Sequence, residues 1–387
     1  MANSNIPALL HTLTNFPNRA AGSKYAKETE LLLADILHKE GFEVSYQNFT
    51  APSTYIPIVY QITGGVIVGL LLTKWVGWIG MGLVCWSALN GLAYFDWRAS
   101  AFLYTIKSNQ SMANIVGKFS PVNATKKLVL MAHFDTAPIS ALYKNQTKHS
   151  FQNTLRLSML FIFLAIPLSI FSYYFPANMW LNGLQFLMIV YFVGQSILGT
   201  MGYWQNGFTN GASDNATGVV AALETAKNLQ AKIKNTAIEV VFTNAEEAGM
   251  IGAYHYWKHL QKTLNDKSQQ IYLINFDTLG GGTLRYITKT GSFTDITYNN
   301  IITETAYLLT TKDDRFKHIK SGSWHTADFD SAWFVRAGIP CVTLAALDEH
   351  ELMPRIHRPE DVLEYVDTTP MYDAINLAEA IALQLDK

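Results

Sequence analysis

The chain has 387 residues, a net charge of −1 and 15% charged residues, against about 25% in ordinary soluble domains. Part of it is therefore expected to avoid water, and no basic excess supports nucleic-acid binding. Its two cysteines, Cys85 and Cys341, lie in apolar stretches, which argues against a disulfide framework or a thiolate metal cluster and favours a reducing compartment.

The first stretch, "MANSNIPALLHTLTNF", lacks a basic segment followed by an apolar run, so no cleavable signal peptide is expected. Residues 1–54 read as water-soluble. "SKYAKETELLLADILHKEGF" has helical periodicity and stops at Gly41, a residue type suited to a helix C-terminus. "EVSYQNF" then alternates like a strand.

The character changes at Ile56. Four runs carry no charged residue: Ile56–Leu72, Trp75–Phe95, Leu157–Phe175 and Met179–Gly199. Each is about as long as the ~17–25 residues that cross a bilayer. Tryptophan and tyrosine gather near their ends, as at a membrane interface, and "GVIVG" (Gly65–Gly69) suits close helix packing. The alternative is a set of buried helices in a large soluble core. Two crossings return a chain to its starting side. Residues 1–54, 97–155 and 201–387 are therefore expected to form one discontinuous domain, with hairpins at 55–96 and 156–200. Arg98, Lys107, Lys144, Lys148 and Arg156 flank the runs on the domain side, and Lys74 alone marks the far side. The positive-inside rule then places the domain in the cytoplasm of a multi-pass membrane protein. The sequons "NAT" (Asn123–Thr125) and "NQT" (Asn145–Thr147) keep a lumenal placement open.

The remainder alternates short apolar strands ("KKLVLMAHFD", "TAIEVVFTN", "QQIYLINFDTLG", "AGIPCVTLAAL") with helices ("ATGVVAALETAKNLQAK", "GAYHYWKHLQK", "DAINLAEAIALQL"). That order predicts an α/β fold of three layers, a mostly parallel sheet with helices on both faces.

In such sheets ligands bind beyond the carboxyl ends of the strands. There the chain places His133 and Asp135, then Asp214, Glu246 with Glu247, Asp277, and His357 in a loop. His133 and Asp135, two apart on extended chain, point the same way, so one can bind a metal while the other fixes the imidazole. Asp214 taken alone reads rather as a helix N-cap. Nitrogen and carboxylate donors in this number suit Zn²⁺, and two ions ~3.5–4 Å apart need a shared carboxylate. Simpler motifs fail. "HELMP" has Pro354 where H-E-x-x-H needs its second histidine, no G-x-S-x-G elbow exists, and "LGGG" lacks the lysine and hydroxyl residue of a phosphate loop.

The ordered set "AHFD" (Ala132–Asp135), "SDNATGVVAALETA" (Ser213–Ala226), "NAEEAGMIGA" (Asn244–Ala253), "NFDTLG" (Asn275–Gly280) and His357 resembles the M28 family of zinc aminopeptidases. The opening "NFPNRAAGSKYAKETELLLADILHKEGFEV" and the late "DFDSAWFVRAGIP" are also similar to that family. The resemblance covers nearly all of the non-apolar chain. It implies two Zn²⁺ ions: His133 and Asp277 holding one, Glu247 and His357 the other, and Asp214 bridging them. It further implies Asp135 orienting His133, and Glu246 as the general base that takes a proton from the attacking water. It gives Asp330 a supporting place at the metal or substrate end. The expected partners are a peptide substrate and the lipid bilayer. The apolar pair between Asp135 and Asp214 departs from the family's short link there. Two other functions are carried alongside: a glutaminyl-cyclase-like acyl transferase with one zinc, and a non-catalytic membrane scaffold with a peptidase fold.

Overall fold

The computed structural model describes residues 6–96, 110–144, 150–263 and 270–387. Arg98, Lys107, Lys148 and the 145–147 sequon lie outside them. Four strands form the centre of a nine-stranded sheet: β3 (Lys126–His133), β4 (Thr236–Thr243), β5 (Gln270–Asp277) and β9 (Cys341–Leu347). They run parallel in the order β4-β3-β5-β9, and they are the four strands expected from the apolar runs. Along β3, Leu128, Leu130 and Ala132 join one core and Val129 and Met131 the other, because successive side chains point to opposite faces. On the first face lie α1 (Ile6–Thr14), α2 (Lys24–Lys39), α7 (Thr217–Gln230), α9 (Ile301–Lys312) and α11 (Thr369–Leu385). On the second lie α8 (Ile251–Thr263) and α10 (Ala332–Arg336).

The sheet is mixed, which corrects the expectation of a mostly parallel one. On one side β1 (Glu43–Thr50) pairs antiparallel with β2 (Ser111–Phe119), and β2 antiparallel with β4. On the other, β6 (Thr283–Thr290) runs antiparallel to β9 and pairs with β7 (Ile296–Thr297) and β8 (Lys320–Trp324). The physical reason is connection length. A parallel pair needs a crossover of a dozen or more residues, whereas β5 reaches β6 through the short turn Thr278–Gly282. There Gly282 has φ +90°, and a Cβ would lie 2.5 Å from the Leu347 carbonyl oxygen. Strands β6 to β8 carry no long apolar run and left no mark in the sequence pattern.

The four apolar runs form α3 (Ile56–Leu72), α4 (Gly77–Asp96), α5 (Phe151–Tyr174) and α6 (Met179–Asn206). The last two extend beyond their runs, α5 by a turn around Arg156 and α6 through Trp204. Three of the helices, α4, α5 and α6, are long and apolar enough to cross a membrane. At 17 residues α3 falls short of them and measures about 26 Å at ~1.5 Å per residue. Ile58, Ile62, Val66 and Leu70, four apart on α3, form the ridge around which the bundle packs. The close approach expected of "GVIVG" is present: a Cβ on Gly69 would stand 2.8 Å from the Gly80 carbonyl oxygen. The outer faces stay bare. Phe186 and Leu187 on α6 are 65% and 63% exposed, and Trp75, Trp78 and Trp180 protrude at the turns between helices.

Candidate metal centre

Every candidate residue comes to the carboxyl edge of the central strands. His133 ends β3 and Asp277 ends β5, while Glu246 and Glu247 follow β4. Asp214 sits in the segment before α7, and His357 in the loop after β9. The N-cap alternative for Asp214 does not hold. The cap position of α7 is Ala216, with no side-chain capping bond.

Asp214 stands at the middle of the site. Its Oδ1 is 3.3 Å from His133 Nε2, and its Oδ2 is 3.4 Å from His357 Nε2. His133 Nε2 also lies 3.7 Å from Asp277 Oδ2, and His357 Nε2 lies 3.0 Å from Glu247 Oε2. Two donor sets result, His133–Asp214–Asp277 and Asp214–Glu247–His357, each with its ligand atoms within 4.8 Å of one another. Glu246 forms a third such group with His133 and Glu247. Glu246 is half-buried and Glu247 buried. They leave the chain at adjacent residues and so in different directions.

Asp135 does more than face the imidazole. Its carboxylate accepts the backbone N–H of Glu246 (3.1 Å) and of Glu247 (3.2 Å). The contact to His133 Nδ1 is made closest by the Asp135 carbonyl oxygen at 3.2 Å, with Oδ1 at 3.7 Å. One aspartate therefore ties the end of β3 to the turn that carries both glutamates. Asp330 accepts a hydrogen bond from Thr243 Oγ1 at the end of β4.

Three supports were not assigned from sequence. Asp361 accepts the N–H groups of Ser213 (2.7 Å) and Asp214 (3.1 Å). Asn215 Oδ1 accepts from Gly218 and Thr278, and its amide donates to the Phe276 carbonyl, pinning the segment that carries Asp214 to the end of β5. Fully buried Arg19 donates to the carbonyls of Leu13, Phe134, Asn210 and Gly211. In sequence Asp361 was one acid in an aspartate-rich stretch, and nothing separated it from a solvated one. The backbone is also held in unusual conformations here: His357, Thr278 and Ala245 have φ of +54°, +49° and +58°, positions that cost energy for residues with a Cβ. By contrast the rejected "HELMP" stretch has His350 exposed beside Glu349.

The electrostatics are those of too many buried acids. Burial opposes charge on His357, but Glu247 and Asp214 outweigh it and raise its pKa to about 10. His133 is likewise raised despite burial, first by Glu246. Burial pushes Glu247 up to about 7 and Glu246 well above the usual carboxylate range. Asp214 resists burial because both histidines hold it below that range. Glu247 Oε1, Asp330 Oδ1 and His357 Nδ1 are buried without a hydrogen-bond partner. A carboxylate-rich cluster with orphaned buried oxygens fits divalent cations, which replace protons as the neutralising charge. The donor set, nitrogen and oxygen without sulfur, fits zinc.

Residues 197–382 match the family model described as peptidase family M28. The match spans just under half of the chain and bears out the resemblance to M28 zinc aminopeptidases. A curated relative, aminopeptidase YwaD of Bacillus subtilis (strain 168), is 25% identical over 193 residues, 46% of this chain and 39% of that protein's length. Among solved structures, BSAP, a zinc aminopeptidase from Bacillus subtilis, superposes with a TM-score of 0.58 at 16% identity, covering 100% of this chain and 96% of that one. Bacteroides thetaiotaomicron glutaminyl cyclase bound to N-acetylhistamine gives 0.58 at 16% identity, covering 99% and 97%. At these identities the structural likeness establishes the zinc-exopeptidase fold and nothing finer.

The site opens into a cavity of about 280 Å³. Glu246, Glu247, Asp214 and His357 line one end of it. The other end is walled by the four apolar helices, with Ile62 of α3, Phe95 of α4, Met159 of α5 and Phe192 of α6 among the lining. Tyr143 stands at the join, its ring edge-on to His357 at 4.6 Å. The sequence marked both the helices and the ligands, and set the helix pairs beside the metal site where they could shape its entrance, but it did not show the one cavity that joins them.

Proposed function

We propose that the chain is a membrane-embedded dizinc aminopeptidase that removes N-terminal residues from peptides. The observation that carries this is Asp214. Its two oxygens face two histidines that belong to separate donor sets, the arrangement a shared carboxylate needs. In this reading His133 and Asp277 hold one zinc, Glu247 and His357 hold the other, and Asp214 joins the pair. Bound zinc supplies Lewis acidity, polarising the peptide carbonyl and lowering the pKa of water towards ~7.

The chain's own residues do the rest. Glu246 acts as general base towards the attacking water and returns the proton to the departing amine. Burial raises its pKa, which suits a carboxylate that must accept a proton and give it back. Asp135 fixes the direction of Glu246 by accepting its backbone N–H. The excess of carboxylates suits a substrate that brings a free α-ammonium group.

Membrane embedding is supported by three apolar helices of spanning length, by their bare outer faces and by tryptophans at the turns. Of the described charges flanking the helices, Lys144 and Arg156 lie on the domain side and Lys74 on the other, which supports a cytoplasmic domain.

A glutaminyl-cyclase reading rests on an equally good superposition, but two donor sets sharing Asp214 favour two ions over one. The deciding experiment is metal content together with turnover. Purified protein is expected to hold about two zinc ions per chain and to release N-terminal residues. Glu246→Gln should lower kcat by ~10²–10⁴-fold, the usual worth of a general base, while keeping its metal. One zinc with cyclisation of N-terminal glutamine, or full activity in Glu246→Gln, refutes the assignment.

A further inference from the structure

The cavity that holds the metal-site residues is too long for a single amino-acid side chain. Its lining on α5 runs from Phe151 through Leu155 and Met159 to Ile162. Eleven residue steps at ~1.5 Å each make that wall about 16 Å long. On α3 the lining ends at Thr63, and on α6 it spans Phe192 to Gly199. These are the ends of the helices nearest the sheet. If the bundle crosses a bilayer, the channel lies at the depth of the leaflet next to the peptidase domain. Several polar groups on its walls are spent within the bundle: Thr63 Oγ1 donates to the Val59 carbonyl and meets Ser196, while Ser158 pairs with Tyr191. The wall beyond the metal site is thus mostly apolar, with Gln195 among its polar members.

Charge decides what occupies it. Among the described residues the lining contains Asp214, Glu246, Glu247, Asp277 and Asp328 and no lysine or arginine. A fatty acid, an anionic phospholipid or an N-acyl amino acid would bring a further negative group to this carboxylate-rich end. A peptide N-terminus brings a positive one. A channel of about 16 Å takes roughly four to five residues of extended chain at ~3.3 Å each.

We propose that this channel binds the apolar N-terminal segment of a peptide drawn from the membrane, with the α-amine at the carboxylates and the following residues among α3, α5 and α6. The proposal rests on the aminopeptidase reading and goes beyond it by naming the substrate class. The inserted helices become the specificity-determining element of the enzyme. Burying an apolar segment there is favourable at about 25 cal/mol per Å², and a short polar peptide forgoes that contribution.

Gly199 offers the test. It lines the channel, and a Cβ on it meets nothing within 4 Å, so Gly199→Trp fills the channel without forcing the backbone. Val193, one face away on the same helix and 42% exposed, gives the control Val193→Trp. Two peptides with the same first residue and scissile bond are compared in lipid nanodiscs, one with leucines and one with serines at positions two to five. Zinc-loaded protein is expected to cleave the apolar peptide with kcat/KM at least ~10-fold higher. Gly199→Trp should cut that ratio ~10-fold or more through KM, and Val193→Trp should leave it unchanged. Binding is read separately by fluorescence anisotropy with Glu246→Gln protein, where the labelled apolar peptide should bind and Gly199→Trp should weaken it to the same degree. Equal turnover and binding of the two peptides, or equal loss in both tryptophan variants, overturns the proposal. So does hydrolysis of N-dodecanoyl-leucine in preference to both peptides. If zinc-loaded protein cleaves neither peptide yet Gly199 still governs apolar binding, the aminopeptidase reading fails and the channel assignment stands.

Discussion

Arg19 is a buried cation whose removal the structure prices. It is completely buried, and burial lowers its pKa to about 10, so it stays charged at neutral pH. Its guanidinium donates to four carbonyl oxygens at 2.8–3.1 Å, from the end of α1, the loop after β3 and the segment before Asp214. Its backbone N–H donates to Thr136 Oγ1, and the carboxylates of Asp361, Asp135 and Asp214 lie close enough to favour its charge. Arg19→Met keeps the bulk and removes the donors. The carbonyls of Leu13, Phe134 and Asn210 then lose a partner at ~1–3 kcal/mol each, the Gly211 carbonyl keeps the Ala216 N–H, and a smaller gain returns because no charge has to be desolvated. The net loss expected is about 3–5 kcal/mol, the usual cost of breaking a buried charged network. At ~2 °C per kcal/mol for a domain of this size, Tm should fall by about 6–10 °C in a detergent-solubilised thermal melt. Arg19→Lys should recover only part of this, since a single ammonium cannot reach carbonyls on three separate segments. A melt within ~1 °C of the parent protein would refute the reasoning, because it would mean that those carbonyls are satisfied without Arg19.

Asp361→Asn replaces one of the two oxygens that receive the Ser213 and Asp214 N–H groups with an amide donor, so Asp214 should lose its fixed position. A fall in zinc affinity of ~10–100-fold is expected, as for other groups that orient a ligand, and a competition titration with a chelator measures it. Gly69→Leu drives a side chain into the Gly80 carbonyl and Val84 and should lower Tm by several degrees. Gly82→Ala on the same hairpin, whose Cβ meets nothing within 4 Å, should not. A cysteine replacing exposed Lys144 should react with an impermeant maleimide only after intact cells are opened, and labelling from outside would reverse the placement of the domain.

What the sequence determined by itself was the part of the protein written in local chemistry. Strands β3, β4, β5 and β9 were readable because a strand buried on both faces is a continuous apolar run. The four apolar helices were readable because uncharged runs of that length stand out in the chain. The ligand candidates were readable because each closes an apolar strand or precedes a helix, where an open α/β sheet displays its chemistry. The tertiary structure alone decided the rest. Edge strands β1 and β6 to β8 set the mixed pairing through contacts remote in sequence. Arg19 and Asp361 became supports of Asp214 only because chain segments 342 residues apart at those two positions fold to the same loop, and an isolated arginine or aspartate carries no such mark. The union of metal site and helix bundle in one cavity was likewise invisible. The helices and ligands are each encoded in their own stretch, whereas the space between them belongs to no residue and exists only once the elements have packed.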